Sequence, residues 1–153
     1  MTYEHTQKAP LYLLVLAVAA AEAGLAVWLG QKALAAAIVL GSAASVMVLA
    51  ALCFRQLTVR DEGDRLAIRY GPLPVFRRRI PYADITAVEV GRSSLIDGWG
   101  IHRIAGRGTT YNLWGFACVV LRVGGRTIRI GTDDAEALAA FLKTKLSPAS
   151  GGR

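Results

Sequence analysis

Two long runs of the chain show no alternation between apolar and polar positions. Leu11 to Leu29 is 19 residues with one charge, Glu22, and Ala33 to Phe54 is 22 residues with none. As helices they would be about 28 and 33 Å long, matched to a hydrocarbon core of about 30 Å. Only Gly30, Gln31 and Lys32 separate them. So short a connection predicts an antiparallel transmembrane hairpin with both ends on one side. Tyr12 and Trp28 stand near the ends of the first run and Phe54 closes the second, as aromatic side chains do at a membrane surface.

From Arg55 the period falls to two. Leu57 and Val59, then Leu66, Ile68 and Tyr70, alternate with polar residues around the turn Asp61-Glu62-Gly63-Asp64, which predicts a β-hairpin over 56–70. Gly71-Pro72-Leu73-Pro74 is a further turn, followed by strands at Val75–Ile80 and Ile85–Val90. Residues 91–108 hold five glycines and read as loop, with short strands at Ile101–Ile104 and near Tyr111–Trp114. Cys118–Val123 and Thr127–Ile130 flank Gly124-Gly125, a second hairpin signal. The chain then turns helical. Asp133 with Glu136 makes a capping box, Leu138, Phe141, Leu142 and Leu146 form an apolar stripe, and Pro148 stops the helix.

The expected organisation is therefore a tail and transmembrane hairpin over 1–54 (helices about 11–29 and 33–54), a cytoplasmic β-rich domain over 55–146, and a disordered tail over 147–153. Charge divides the chain at the same place. Residues 1–54 carry only Glu4, Lys8, Glu22 and Lys32, so the remainder holds 16 of the 18 Lys and Arg, 9 of the 11 Asp and Glu, and the whole net charge of +7. Near the membrane, the terminal side carries Lys8, Arg55, Arg60, Arg65 and Arg69, and the connecting loop only Lys32. The positive-inside bias places both termini in the cytoplasm. A cleaved signal sequence is the rival for the first run, since Lys8 precedes it and Ala19-Ala20-Ala21 resembles a cleavage site. The run continues past that point to Leu29, which favours a retained span.

The helices carry small residues for mutual packing: Ala33, Ala37, Gly41 and Ser45 on the second, and Ala17, Ala20, Ala21 and Gly24 on the first. Glu22 is an intramembrane carboxylate at the depth of residues 39–42, with Ser42 as its expected hydrogen-bond partner. Cys53 and Cys118 are expected to be buried free thiols.

No catalytic constellation emerges, and neither an enzyme nor a cofactor is expected. His5 lies in the N-terminal tail and His102 in a strand, and there is no metal-ligand spacing. No glycine-rich loop leads to a lysine, and no small-molecule substrate is evident. Tethering and the lack of interleaved exposed aromatics exclude nucleic acid. The chemistry on offer is basic. Arg77, Arg78 and Arg79 lie in one strand, with Arg77 and Arg79 on the same face, while Arg103 and Arg107 flank the glycine-rich segment and Trp99 sits within it. Such a surface is drawn to an anionic leaflet by on the order of 1 kcal/mol per basic residue.

Strands followed by one amphipathic helix, in this order, resemble the pleckstrin-homology (PH) superfold. Three stretches resemble the bacterial PH-like membrane proteins: Leu66–Gly71 with Arg79–Ile85, Gly98–Ile101 with Tyr111-Asn112, and Gly125-Arg126 through Ile130–Asp134. The resemblance implies an α+β membrane protein, in which the hairpin precedes a PH-like barrel or sandwich of about seven strands capped by a C-terminal helix. It also implies a non-enzymatic binding or scaffold module in the bacterial cytoplasmic membrane that engages a protein partner or a second copy of itself. Two alternatives remain open: an anionic-lipid headgroup module using the arginines, and a small accessory subunit of a transporter using Glu22.

Overall fold

The computed structural model describes residues 2–30, 32–73, 75–94 and 100–146. The chain divides into two units, one of Ala9–Gln56 with Tyr70–Phe76, the other of Met1–Lys8, Leu57–Arg69 and Arg77–Arg153.

In the first unit the unbroken apolar runs fold as α1 (Leu11–Leu29) and α2 (Leu34–Cys53). Both are long and apolar enough to cross a membrane. They meet along a narrow seam of buried or half-buried positions, Val15, Ala19, Glu22 and Ala26 on α1 and Ala37, Gly41, Ala44 and Ala51 on α2. This corrects the expected stripe, because Ala33, Ser45, Ala17, Ala20, Ala21 and Gly24 are all exposed. A strict four-residue repeat drifts about 40° around the helix at each step, whereas the alternation of threes and fours stays on the contact line. Glu22 lies in the seam. Its Oε2 is buried without a hydrogen-bond partner, and Ser42, the expected partner, is exposed.

Each end of the helix pair carries a cation over an aromatic ring. Arg55 lies 5.5 Å from the Tyr12 centroid and Lys32 4.2 Å from that of Trp28. The Tyr70–Phe76 turn packs at the C-terminal end of α2. Phe54 stacks on Phe76 at 5.4 Å and meets Tyr70 edge-on at 5.3 Å. The Gly71 N–H donates to the Gln56 carbonyl at 2.7 Å.

The second unit is a two-sheet sandwich with a helix. Its first sheet runs in the order β1-β2-β3-β4, from β1 (Glu4–Lys8), β2 (Gln56–Asp61), β3 (Arg65–Tyr70) and β4 (Arg77–Pro81). One 3₁₀ turn, Tyr82–Asp84, leads to the second sheet. That sheet runs β5-β8-β9-β7-β6, from β5 (Ile85–Arg92), β6 (Gly100–Ile104), β7 (Gly108–Asn112), β8 (Ala117–Val123) and β9 (Arg126–Gly131). The pairing of β7 with β9 is parallel. Leu57, Leu66, Ile68 and Ile80 of the first sheet and Val119, Leu121 and Ile130 of the second are almost fully buried. The α3 helix (Ala135–Leu146) packs on β5 and β8 and buries Leu138 and Leu142. This is the expected α+β order.

Two local expectations need correction. Residues 4–8 are not tail but strand β1. The Tyr3 carbonyl accepts from the Asp61 N–H at 2.8 Å, and the Thr6 and Thr58 hydroxyls are 2.8 Å apart, an antiparallel register with β2. Tyr3 and His5 also reach the start of α3. The Tyr3 hydroxyl donates to Asp134 at 3.1 Å, its ring stacks on Phe141 at 5.4 Å, and His5 Nε2 lies 2.6 Å from Asp133. With Asp133 so engaged, the expected capping box gives way to a different start. The Thr132 hydroxyl accepts the Asp134 N–H at 3.1 Å, and the Asp134 carbonyl accepts the Leu138 N–H. With β1 included, nine strands stand among the described residues where about seven were expected.

A buried polar cluster ties β2 to α3. Asp61 accepts from the Tyr82 hydroxyl at 2.7 Å and the Gly63 N–H at 2.8 Å, and Lys145 Nζ stands 3.0 Å from its other oxygen. Burial opposes the Asp61 charge, but the bonds from Tyr82, Lys145 and Gly63 outweigh it and hold the carboxyl below its ordinary value. The Tyr82 phenol is pushed far up by burial and by Asp61.

Candidate functional site

The two sheets leave a cavity of about 610 Å³ on the side of their β4 and β6 edges. Its position follows from strand register. Leu66 opposes Ile80 and Ile68 opposes Arg78, so Arg78 projects from the same face of β4 as the core residue Ile80. On the second sheet Arg103 opposes Thr109, and Thr109 opposes Ile128. Arg103 thus shares the inward face of its sheet with the buried Ile128. Two arginines are turned inward at the edges of two sheets. Arg122 and Arg126, either side of the β8–β9 turn, add to the lining, and among the described residues no carboxylate contributes to it.

The arginines of this unit are sorted by partner. On the opposite face of β4 from Arg78, Arg79 Nε donates to Glu62 at 2.8 Å, and Arg69 donates to the other oxygen of the same carboxylate. Burial opposes the Glu62 charge, but the two guanidiniums outweigh it and hold its carboxyl below the ordinary range. Arg65 is paired with Asp64, and Arg60 with Glu4. Among the described residues, none of the four cavity arginines forms an ion pair. Arg122 donates to the Thr127 hydroxyl at 2.6 Å. Strand register turns three of the four inward, Arg78, Arg103 and Arg126, whereas Arg122, opposite Thr127, projects from the other face of its sheet. The inward guanidiniums repel one another unless an anion enters.

The structure therefore brings together two of the arginines singled out from the sequence, Arg78 and Arg103. It places Arg77 and Arg79 on the other face of β4. Arg107 lies outside the lining; its carbonyl accepts from Arg129 and its guanidinium reaches Ser94 at 3.5 Å. Trp99 lies outside the described residues. Arg122 and Arg126 were not singled out, although their place on either side of Gly124-Gly125 was a usable signal. Among the described residues, no acid, base or nucleophile lines the cavity beyond the Tyr111 and threonine hydroxyls. Among the described residues, no group of three His, Cys, Asp or Glu is placed to hold a metal ion. What the arrangement does well is bind negative charge.

Comparison with known proteins fits a binding role. The family model described as bacterial PH domain matches residues 12–145. The match begins inside α1 and ends near the end of α3, so it takes in the helical hairpin as well as every strand except β1. No curated protein matches the chain.

Proposed function

Because the chain belongs to the bacterial PH domain family, a class of generally non-catalytic binding modules, we propose that it is a non-enzymatic binding module anchored in the bacterial cytoplasmic membrane. In this reading α1 and α2 span the bilayer, and both termini and both sheets face the cytoplasm. The observation that carries the reading is the outer surface of the helix pair. Leu14, Val27, Leu34, Ile38, Val39 and Val46 are each at least 60% exposed. A continuous apolar skin of this kind is unstable in water, and lipid is the solvent it suits.

Three further features support it. The basic residues Lys8, Arg55, Arg60, Arg65 and Arg69 flank the terminal side against Lys32 alone at the connection. Strands β1 and β2, which leave the two ends of the hairpin, lie in one sheet, as a hairpin returning to the same side requires. Beside the C-terminal end of α2, Leu73, Val75 and Phe76 are exposed and suit the headgroup–acyl boundary. The module's partner is another protein or a second copy of the chain. Glu22, with one buried oxygen unsatisfied in the seam, is the intramembrane carboxylate an accessory transporter subunit would use.

Alkaline extraction of native membranes tests the anchor. The full chain is expected to stay with the lipid at high pH and to leave only with detergent. Release into the alkaline supernatant would reject it.

A further inference from the structure

The geometry points to the cavity between the β4 and β6 edges as a binding site for a phosphate group carried on a small organic body, held by Arg78, Arg103 and Arg126. The inference deepens the binding-module reading and rests on it, but it is independent of whether the helices span a membrane.

Charge comes first. Carboxylates pair with Arg60, Arg65, Arg69 and Arg79 elsewhere on this unit, whereas among the described residues none contributes to this lining. An inward-facing charge at a sheet edge also discourages edge-to-edge pairing, and one arginine would serve that purpose. Three, contributed by β4, β6 and β9, exceed it. Shape comes second. At about 610 Å³ the cavity is in the range that takes small organic ligands. Chemistry decides between anions. A carboxylate is planar and singly charged, and one or two guanidiniums saturate it. A phosphate monoester carries nearly two charges and three acceptor oxygens pointing in different directions, which suits donors converging from separate strands. Thr109 adds a hydroxyl donor, and Ile101 and Ile128 give the organic body an apolar wall.

A soluble phosphorylated metabolite and a phosphomonoester lipid headgroup offer this same group, and titration separates them. The full chain is purified in a nonionic maltoside detergent and titrated calorimetrically at physiological salt with inorganic pyrophosphate. The titration is repeated in nanodiscs of phosphatidylcholine with or without phosphatidic acid. Saturable pyrophosphate binding is expected, weakened at least tenfold in the Arg103→Gln/Arg126→Gln variant and in Arg78→Gln, and unchanged in Arg60→Gln. Competition by phosphatidic acid would identify a headgroup as the source, and its absence a soluble ligand. All the substituted side chains are exposed, and an unchanged melting temperature confirms that each variant is folded. Failure of pyrophosphate and phosphatidic acid alike to bind would overturn the site. So would a loss as large in Arg60→Gln, which would reduce binding to general attraction, or selective capture of an acidic peptide in their place. Alkaline extraction of the same variants reads anchoring separately, so loss of the site and loss of the anchor cannot be confused.

Discussion

Val46→Arg is expected to remove most of the chain from the alkaline-resistant membrane fraction, while Val46→Leu leaves it there. Val46 lies in the central part of α2 and is 65% exposed on the outer surface of the helix pair. In lipid, an arginine near the centre of a span costs about 2.5–3.5 kcal/mol for insertion, roughly a hundredfold shift in the inserted fraction. In water the same exposed position would accept arginine with a change of about 0.5 kcal/mol or less. The two solvents thus predict opposite outcomes from one substitution. Unchanged membrane retention of the arginine variant would mean that this face does not meet lipid.

Gly108→Ala is expected to be the most damaging single-methyl change in the sandwich. Gly108 opens β7 at a φ of +94°, and a Cβ there would stand 2.1 Å from the Thr127 carbonyl oxygen. The left-handed backbone alone costs about 1–2 kcal/mol with a side chain. The clash is with the backbone of β9 rather than with a movable side chain, so the parallel β7–β9 pairing must open to relieve it. The total is about 3–5 kcal/mol, a fall of more than about 10 °C in melting temperature for a domain of this size. Gly106→Ala is the control. Its φ is +76°, but nothing stands within 4 Å of the added carbon, so only the conformational cost applies. Equal losses in the two variants would contradict the close approach of β7 to β9.

The parts of the fold legible in the sequence are those set by local patterning. Uninterrupted apolar runs located α1 and α2 to within a residue at each end. Alternation around Asp61–Asp64 and around Gly124-Gly125 located two hairpins. Strand β1 was not legible because Glu4–Lys8 has no apolar face of its own. Its place comes from β2 and α3, more than 50 and 120 residues away. The helix seam was misread for a different reason: alanines stand all round both helices, so composition fits a four-residue stripe as well as the heptad seam. The cavity was half legible. Arg78 and Arg103 could be picked out as basic positions, but the convergence of Arg103 with Arg126 depends on β7 lying between β6 and β9. No local period encodes that order.

The central claim is that an apolar hairpin holds a bacterial PH unit on the cytoplasmic side of the membrane. Reporters fused after Arg153 of the full chain measure this most directly. The account predicts a fluorescent protein that lights up and an alkaline phosphatase that stays inactive at that position; an active phosphatase there, with a dark fluorescent fusion, would contradict it.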